Sequence, residues 1–372
     1  MGFNIVLIAN TLWFIEKFKF ELIKKLVIKN RVKCLYLREG PAHNTKNIDF
    51  LISKGVTFEK LNIRNTFKIF IKQFFQTKDN FNKKSRIIVF TIGPIIISQL
   101  LFFKQKKIIV YVLEGLGRVF SSRKIFYRII KRLIIQIYKY IFKDCKKIVT
   151  LNYSDATYLV DMKISTLDKI CTIPGTGFEC DESKLQYFFK IYEPKYIDYI
   201  ARLVEDKGFY SFLYTKLYIN KHMPFLLRNN KFRIITPQTD IDNLSVKEIK
   251  YLEEIGISLC PYVADPMEYY RESKVIIIPT TYGEGLSRLL LESLYFGIPI
   301  LVSRNNGTEE LLPFDYKYFI KSFNPSSIAK QLMMLIEDKG YFIDNIPKQK
   351  KLIDEYYSSK ASIKALEQIL YN

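Results

Sequence analysis

Histidine is nearly missing from this chain of 372 residues, where His43 and His222 are the only two. So small a supply argues against a His-based metal centre or catalytic triad. Cysteine is also scarce: Cys34, Cys145, Cys171, Cys180 and Cys260 are odd in number and contain no CxxC pair. That spacing argues against a disulfide framework and a zinc site, and fits free thiols in a reducing compartment. Long apolar runs are absent too. The best candidate for a membrane span, residues 87–103, lies between Arg86 and Lys104 and is interrupted by Gly93, Pro94, Ser98 and Gln99. It falls short of a bilayer crossing and reads instead as a buried strand, a turn and a helix. Residues 1–10 hold no basic residue, so the apolar run 3–15 is expected to be a first strand and the start of a helix, not a leader. No internal repeat or low-complexity linker is visible.

Acid is what the first half lacks. Residues 1–190 hold 35 Lys and Arg against 14 Asp and Glu, whereas residues 191–372 hold 23 of each. The entire surplus of +21 therefore sits in one half. A codon bias towards Lys, Ile, Tyr and Phe would enrich both halves alike, so it does not explain the asymmetry. An anionic partner does, and composition alone leaves a membrane leaflet and a nucleic acid both open. With 48% hydrophobic residues and this length, two domains with separate cores are expected.

What is present centres on residues 274–312, KVIIIPTTYGEGLSRLLLESLYFGIPILVSRNNGTEELL. Residues 275–279 form an apolar, β-branched run suited to a buried parallel strand. A loop with two glycines follows, then helical spacing over 286–296, a stop at Gly297 and a short strand at 299–302. In such a strand–loop–helix–strand unit, ligands sit at the carboxyl end of the strand, where a helix N-terminus favours an anion. Glu284 in the loop and Glu292 in the helix are eight positions apart, or about 12 Å at the helical rise. That span allows one carboxylate for a sugar and one for a ribose on either side of a pyrophosphate. Spacing alone equally allows a dipole-favouring Glu followed by a solvated one.

A second cluster opens the same half. A strand at 196–201 leads into Arg202–Leu203–Val204–Glu205–Asp206–Lys207–Gly208, which places two cations at a strand end with a glycine before the next helix. Two fixed cations can neutralise a leaving pyrophosphate. Strands are also expected at 5–9, 32–37, 87–91, 108–113, 148–151 and 257–259. Helices are expected at 14–29, 246–254, 265–272, 328–336, 348–357 and 361–370. The alternation implies α/β domains with parallel sheets. Residues 118–147 read as one long basic helix: ten cations, among them Arg128, Lys131 and Arg132, are interleaved with Phe, Tyr, Ile and Leu against a single acid, Asp144. Such a helix suits an anionic membrane, although a core-facing helix with a cationic outer face gives the same pattern.

These motifs resemble one family, the retaining glycosyltransferases of family 4 with the GT-B fold. Glu284, Gly285, Leu291, Glu292, Gly297 and Pro299 fill its phrase EG-x5-LE-x4-G-x-P, and Gly307 with Glu310 match a later G-x-x-E. Arg202, Leu203, Lys207 and Gly208 fill its R-L-x-x-x-K-G. Leu286, Ser287 and Arg288 look like the subgroup that builds bacterial surface polysaccharides on a lipid carrier. The resemblance implies two Rossmann-like domains: an acceptor- and membrane-facing one over 1–180 and a nucleotide-sugar domain over 181–355. A terminal helix over 356–372 would pack back on the first.

It further implies transfer of a hexosyl residue from a nucleoside-diphosphate sugar, a UDP-sugar by preference, to a polyprenyl-diphosphate-linked glycan in O-antigen or capsule synthesis. Cofactor and metal are not required, and the letters Asp240–Ile241–Asp242 lie where the family uses no metal motif. Arg202, Lys207 and Glu284 would carry catalysis, with Gly285, Leu286, Ser287, Arg288 and Glu292 completing the donor site. The backbone around residues 261–263 corresponds to the nucleobase seat. On the acceptor side stand Asn10 and Thr11, at a first turn without the usual glycines, and Glu114 with Gly115, where the family often has His or Thr. Residues 174–177 resemble the loop between domains. The expected place is the inner face of the cell membrane, peripherally bound. A nucleotide-sugar 2-epimerase on the same fold would lean on His and other polar side chains scarce here. A nucleic-acid binder would need a module that is not recognisable.

Overall fold

The computed structural model describes residues 2–40, 45–62, 84–102, 104–122, 124–175, 177–178, 194–263, 266–312, 316–338 and 348–371. The chain divides into two compact units, one of Met1–Val119, Arg123–Gly177 and Ser359–Asn372, the other of Phe120–Ser122 and Phe178–Ser358. The expected boundary at 180/181 lies outside the described residues, as do residues 181–193, Thr176 and Cys180.

The first unit is built on a seven-stranded sheet in the order β3-β2-β1-β4-β5-β6-β7. Its strands are β1 (Asn4–Thr11), β2 (Arg31–Arg38), β3 (Thr57–Lys60), β4 (Ser85–Phe90), β5 (Ile109–Leu113), β6 (Lys147–Thr150) and β7 (Ile170–Thr172), all paired in parallel. Every residue of β4 and β5 is buried, as a strand covered on both faces requires. The helices are α1 (Leu12–Val27), α2 (Thr45–Ser53), α3 (Ile92–Leu101), α4 (Ile125–Phe142) and α5 (Tyr153–Asp161). The described part of that stretch, residues 87–102, is thus the end of β4 followed by α3, and among the described residues no helix is long and apolar enough to cross a membrane.

The long basic helix expected over 118–147 is corrected. A single turn at Arg118–Ser121 is separate from α4, and Lys147 already belongs to β6. Ser121 and Ser122 at the break are weak helix formers that compete for backbone hydrogen bonds.

The second unit carries a five-stranded parallel sheet in the order β10-β9-β8-β11-β12. Its strands are β8 (Tyr196–Ile200), β9 (Lys231–Thr236), β10 (Ile257–Pro261), β11 (Ser273–Ile278) and β12 (Ile300–Val302). Its longer helices are α6 (Phe209–His222), α7 (Val246–Glu254), α8 (Met267–Glu272), α9 (Arg288–Tyr295) and α10 (Pro325–Glu337). The core lies between these helices and both faces of the sheet, where Ile197, Ile234, Ile276, Leu290 and Leu301 are buried.

The chain ends in α11 (Ser359–Tyr371), which belongs to the first unit. There the Leu370 carbonyl accepts from Arg86 Nε, Tyr371 Oη accepts from Asn30 Nδ2 at 2.8 Å, and Ser362 Oγ donates to the Pro174 carbonyl at 2.9 Å. Gly177 is needed at this junction: its φ is +80° and a Cβ would lie 2.4 Å from Ser359 Cα.

Candidate active site

In the second sheet the strand order reverses between β8 and β11, and both strands end in the loops singled out from sequence. A ligand crevice is expected at the carboxyl edge of such a switch point.

After β8 the chain turns through Arg202–Lys207 and enters α6 at Gly208. Gly208 adopts φ +80°, and a Cβ there would come within 2.1 Å of the Pro279 carbonyl oxygen, so only glycine lets the two loops close up. The loops are tied by one carbonyl. Asp206 O accepts from Thr281 N at 2.8 Å, Tyr282 N at 3.1 Å and Thr280 Oγ1 at 3.1 Å. This tie brings Lys207 and Glu284 together: Lys207 Nζ is ion-paired to Glu284 Oε1 and lies 4.6 Å from the centre of the Tyr282 ring. Both charged side chains keep some exposure, 25% and 18%, and so remain within reach of a ligand.

Arg202 stands apart from that pair. Its side chain is 65% exposed, with Nε 3.8 Å from Asp240 Oδ1. Asp240 Oδ2 in turn accepts from Leu203 N at 2.8 Å, so this aspartate shapes the Arg202 loop. That is the role the structure gives to the first Asp of the Asp240–Ile241–Asp242 triplet. Beside it, the Tyr262 phenol is pushed up to about 12, first by desolvation and then by the Asp240 carboxylate, with Arg202 opposing. The backbone N–H of Tyr262 is held by the Thr236 carbonyl at 2.9 Å.

Helix α9 begins one turn beyond Glu284. Ser287 caps it by accepting from Leu290 N at 3.4 Å, while Gly285 and Leu286 form the loop before it. Glu292 is 8% exposed and has two partners: Arg288 Nε at 2.8 Å on Oε1 and the Tyr270 hydroxyl on Oε2. Burial, and then the Glu292 charge, push the Tyr270 phenol well above its ordinary value, so it stays a donor. Glu292 is therefore a held carboxylate, not a solvated one.

Gly307 lies under this loop. A Cβ on it would sit 2.9 Å from the Glu284 carbonyl oxygen and 3.2 Å from that of Gly285. Ser303 Oγ donates to the Thr280 carbonyl, and Thr308 Oγ1 donates to the Ser303 carbonyl at 2.9 Å. Together they fix the floor on which residues 284 and 285 rest.

The remaining singled-out residues belong to the first unit. Thr11 caps α1, accepting from Phe14 N at 3.0 Å, and Asn10 is exposed at the end of β1. Glu114, just past β5, is ion-paired at 2.7 Å to Lys19, a buried lysine of α1 set 4.6 Å from the Phe90 ring centre. Gly115 has φ +115°. Between them, at the end of β4, Thr91 takes φ 66° and ψ 160°, and its Oγ1 is buried with no partner among the described residues. A β-branched residue at positive φ is a real outlier. Arg128 and Arg132 are exposed on α4, while Lys131 is half-buried with Nζ 4.9 Å from the Tyr158 ring centre.

Sequence reasoning missed Tyr270, Tyr282, Lys19, Thr91 and the positioning part of Asp240. Each makes its contact across a long sequence separation or through backbone geometry. Only the letters of Asp240 drew notice, as a triplet lying where no metal motif is expected.

Residues 185–358 match the family model described as glycosyl transferases group 1, and this stretch is a domain of that kind. The capsular polysaccharide biosynthesis glycosyltransferase CapM of Staphylococcus aureus is 22% identical over 287 residues, covering 73% of this chain and 72% of that protein. The N,N'-diacetylbacillosaminyl-diphospho-undecaprenol alpha-1,3-N-acetylgalactosaminyltransferase of Campylobacter jejuni is 21% identical over 276 residues, 70% of each. Among solved structures, Anabaena Alr3699/HepE in complex with UDP and glucose superposes with a TM-score of 0.73 at 11% identity, over 99% of both chains. The architecture, two parallel sheets in two α/β units, is that of the GT-B glycosyltransferases.

Proposed function

We propose that the chain is a retaining glycosyltransferase that moves a hexosyl residue from a UDP-sugar to a polyprenyl-diphosphate-linked glycan during synthesis of a bacterial surface polysaccharide. The observation that carries this reading is the Lys207–Glu284 pair at the carboxyl edge between β8 and β11, with exposed Arg202 on the same loop as Lys207. The names of the two relatives, one capsular and one acting on a diphospho-undecaprenol sugar, support the acceptor class. The UDP in the Anabaena complex supports the donor class.

In this reading the diphosphate lies over the N-terminus of α9 and between the cations. Arg202 and Lys207 take up the charge that develops on the leaving oxygen as the anomeric C–O bond breaks. Glu284 gives up part of its hold on Lys207 to the phosphate and accepts from a sugar hydroxyl. Glu292, fixed by Tyr270 and Arg288, accepts from the ribose. The acceptor hydroxyl attacks from the face the diphosphate leaves, and its proton passes to a phosphate oxygen. Stereochemistry is then retained. Cation and backbone supply the charge compensation, so the reading assigns no metal and no resident cofactor. With a lipid-linked acceptor, the protein works at the cytoplasmic face of the membrane, peripherally attached.

The test is a panel of UDP-, GDP- and dTDP-sugars read by thermal shift, followed by NMR of the product's anomeric configuration with a polyprenyl-diphosphate acceptor. Stabilisation by a UDP-sugar and an unchanged anomeric configuration are expected. Stabilisation by none of the panel removes the donor reading, and an inverted product removes retention.

A further inference from the structure

Helix α4 shows two opposed apolar faces. Ile134, Tyr138, Ile141 and Phe142, in its second half, are buried at 8% exposure or less and hold it to the first unit. Ile125, Phe126, Ile129 and Leu133, in its first half, are 62–69% exposed. At 100° per residue, and with Ile125 at zero, Ile129, Leu133 and Phe126 fall at about 40°, 80° and 100°, while the buried Ile141, Ile134 and Tyr138 fall at about 160°, 180° and 220°. The same count puts Arg132 and Arg128 at about −20° and −60°, directly beside the exposed apolar arc. The outward face is thus split lengthwise into an apolar stripe and a cationic stripe. No Asp or Glu occurs anywhere on the helix.

We infer that the first half of α4 lies in the interface of an anionic bilayer, with Ile125, Phe126, Ile129 and Leu133 in the acyl boundary and Arg128 and Arg132 among the headgroup phosphates. The charge selects the occupant. A second copy meeting this face about a two-fold axis would bring two sets of Arg128 and Arg132 into one interface, with no acid on either helix to offset them. Anionic lipid offers counter-charge and apolar depth side by side, the arrangement an amphipathic interfacial helix requires. The surplus of cations confined to the first half of the chain points the same way. The inference deepens the proposed function and rests on it for its purpose, since a polyprenyl-linked acceptor is held at such a surface. The binding itself does not depend on that reading.

The test uses the full chain with vesicles of phosphatidylcholine alone and with phosphatidylglycerol added, read by sedimentation at low and high salt without donor. Wild type is expected to sediment with the anionic vesicles. The double variant Phe126→Ser/Ile129→Ser should bind at least about tenfold more weakly at every salt concentration, because buried apolar area is lost. Arg128→Glu/Arg132→Glu should weaken binding about 25-fold or more at low salt and far less at high salt, where surface charge is screened. All four sites are exposed, so melting temperatures should stay near that of wild type. As a second readout, Ile129→Trp should shift its emission to the blue on anionic vesicles and be quenched by brominated lipid, relative to the parent with Trp13 alone. Wild-type binding by the serine pair, or an unshifted and unquenched emission from the Ile129→Trp variant, overturns the inference. So does a wild-type dimer that the serine pair dissociates while vesicles are ignored, which would assign the face to a second copy. Vesicle binding as described together with no donor turnover would leave this inference standing and remove the proposed function instead.

Discussion

Tyr270 donates its hydroxyl to Glu292 across a separation of 22 residues, from α8 to α9, with both side chains buried. The tyrosine fixes one carboxylate oxygen while Arg288 fixes the other. In the proposed role, a carboxylate clamped in this way would meet a ribose hydroxyl without further ordering.

Tyr270→Phe should therefore weaken UDP binding by about 3- to 10-fold, a part of the 1.5–3 kcal/mol of a hydrogen bond to a charged group. Glu292→Ala should weaken it further, because a ribose contact persists from ground state to transition state. If Glu284 faces the sugar where charge develops, as proposed, Glu284→Ala should lower turnover more than affinity. Titration calorimetry with UDP beside steady-state rates separates the three. Unaltered UDP affinity in both Glu292→Ala and Tyr270→Phe would remove the ribose role.

Gly307→Ala is expected to act on the site through the loop floor. In a helical turn alanine is ordinarily the better residue, but here its Cβ presses on the Glu284 and Gly285 carbonyls. A displacement of a few tenths of an ångström in a positioned carboxylate should lower turnover about tenfold, given that about 1 Å costs a hundredfold. The melting temperature should change by only a few degrees. Wild-type turnover in Gly307→Ala would show that the loop does not rest on this glycine in solution.

The sheets were legible because their central strands are continuous apolar runs, and the donor loops because their cations, carboxylates and glycines recur at fixed spacing. Strand β9 was not legible. It carries Arg233 at its middle, and that charge is tolerated because Asp198 on β8 is its register partner, with bonds of 2.8 and 3.0 Å, and Glu272 accepts from the arginine at 2.7 Å. Arg233 and Asp198 cancel in the sheet but lie 35 positions apart in the chain. Short β3, with Glu59 and Lys60, was hidden for a related reason. Glu114 was legible as a strand-end carboxylate, but its buried partner Lys19 was not, since nothing local marks that lysine among the many in the first half. The split face of α4 follows from which apolar residues the unit already uses, and periodicity alone does not report that.

Lys216 gives a pH-dependent prediction. It is buried on α6 beside the Phe232 ring and bonded to Asn220, and desolvation lowers it from 10.5 to about 8. Between those values the folded chain binds fewer protons than the unfolded one, so stability from this group rises with pH. Below about 8 the cost of burying the cation is fully present, on the order of 3 kcal/mol. Lys216→Met should accordingly gain stability over wild type at pH 7, and the gain should shrink as pH rises through 8 towards 10.5. Urea denaturation of both proteins across that window checks it, because other titrating groups cancel in the difference. A gain that grows with pH would contradict the assignment.

The most direct measurement is the rate of sugar transfer to a lipid-linked acceptor by Lys207→Ala and Arg202→Ala, taken together with their affinity for the intact UDP-sugar. If these cations neutralise the leaving diphosphate, turnover falls by two to three decades, about 3–4 kcal/mol of transition-state stabilisation, while the fold is kept and donor affinity falls much less. Wild-type turnover in either variant would contradict the account.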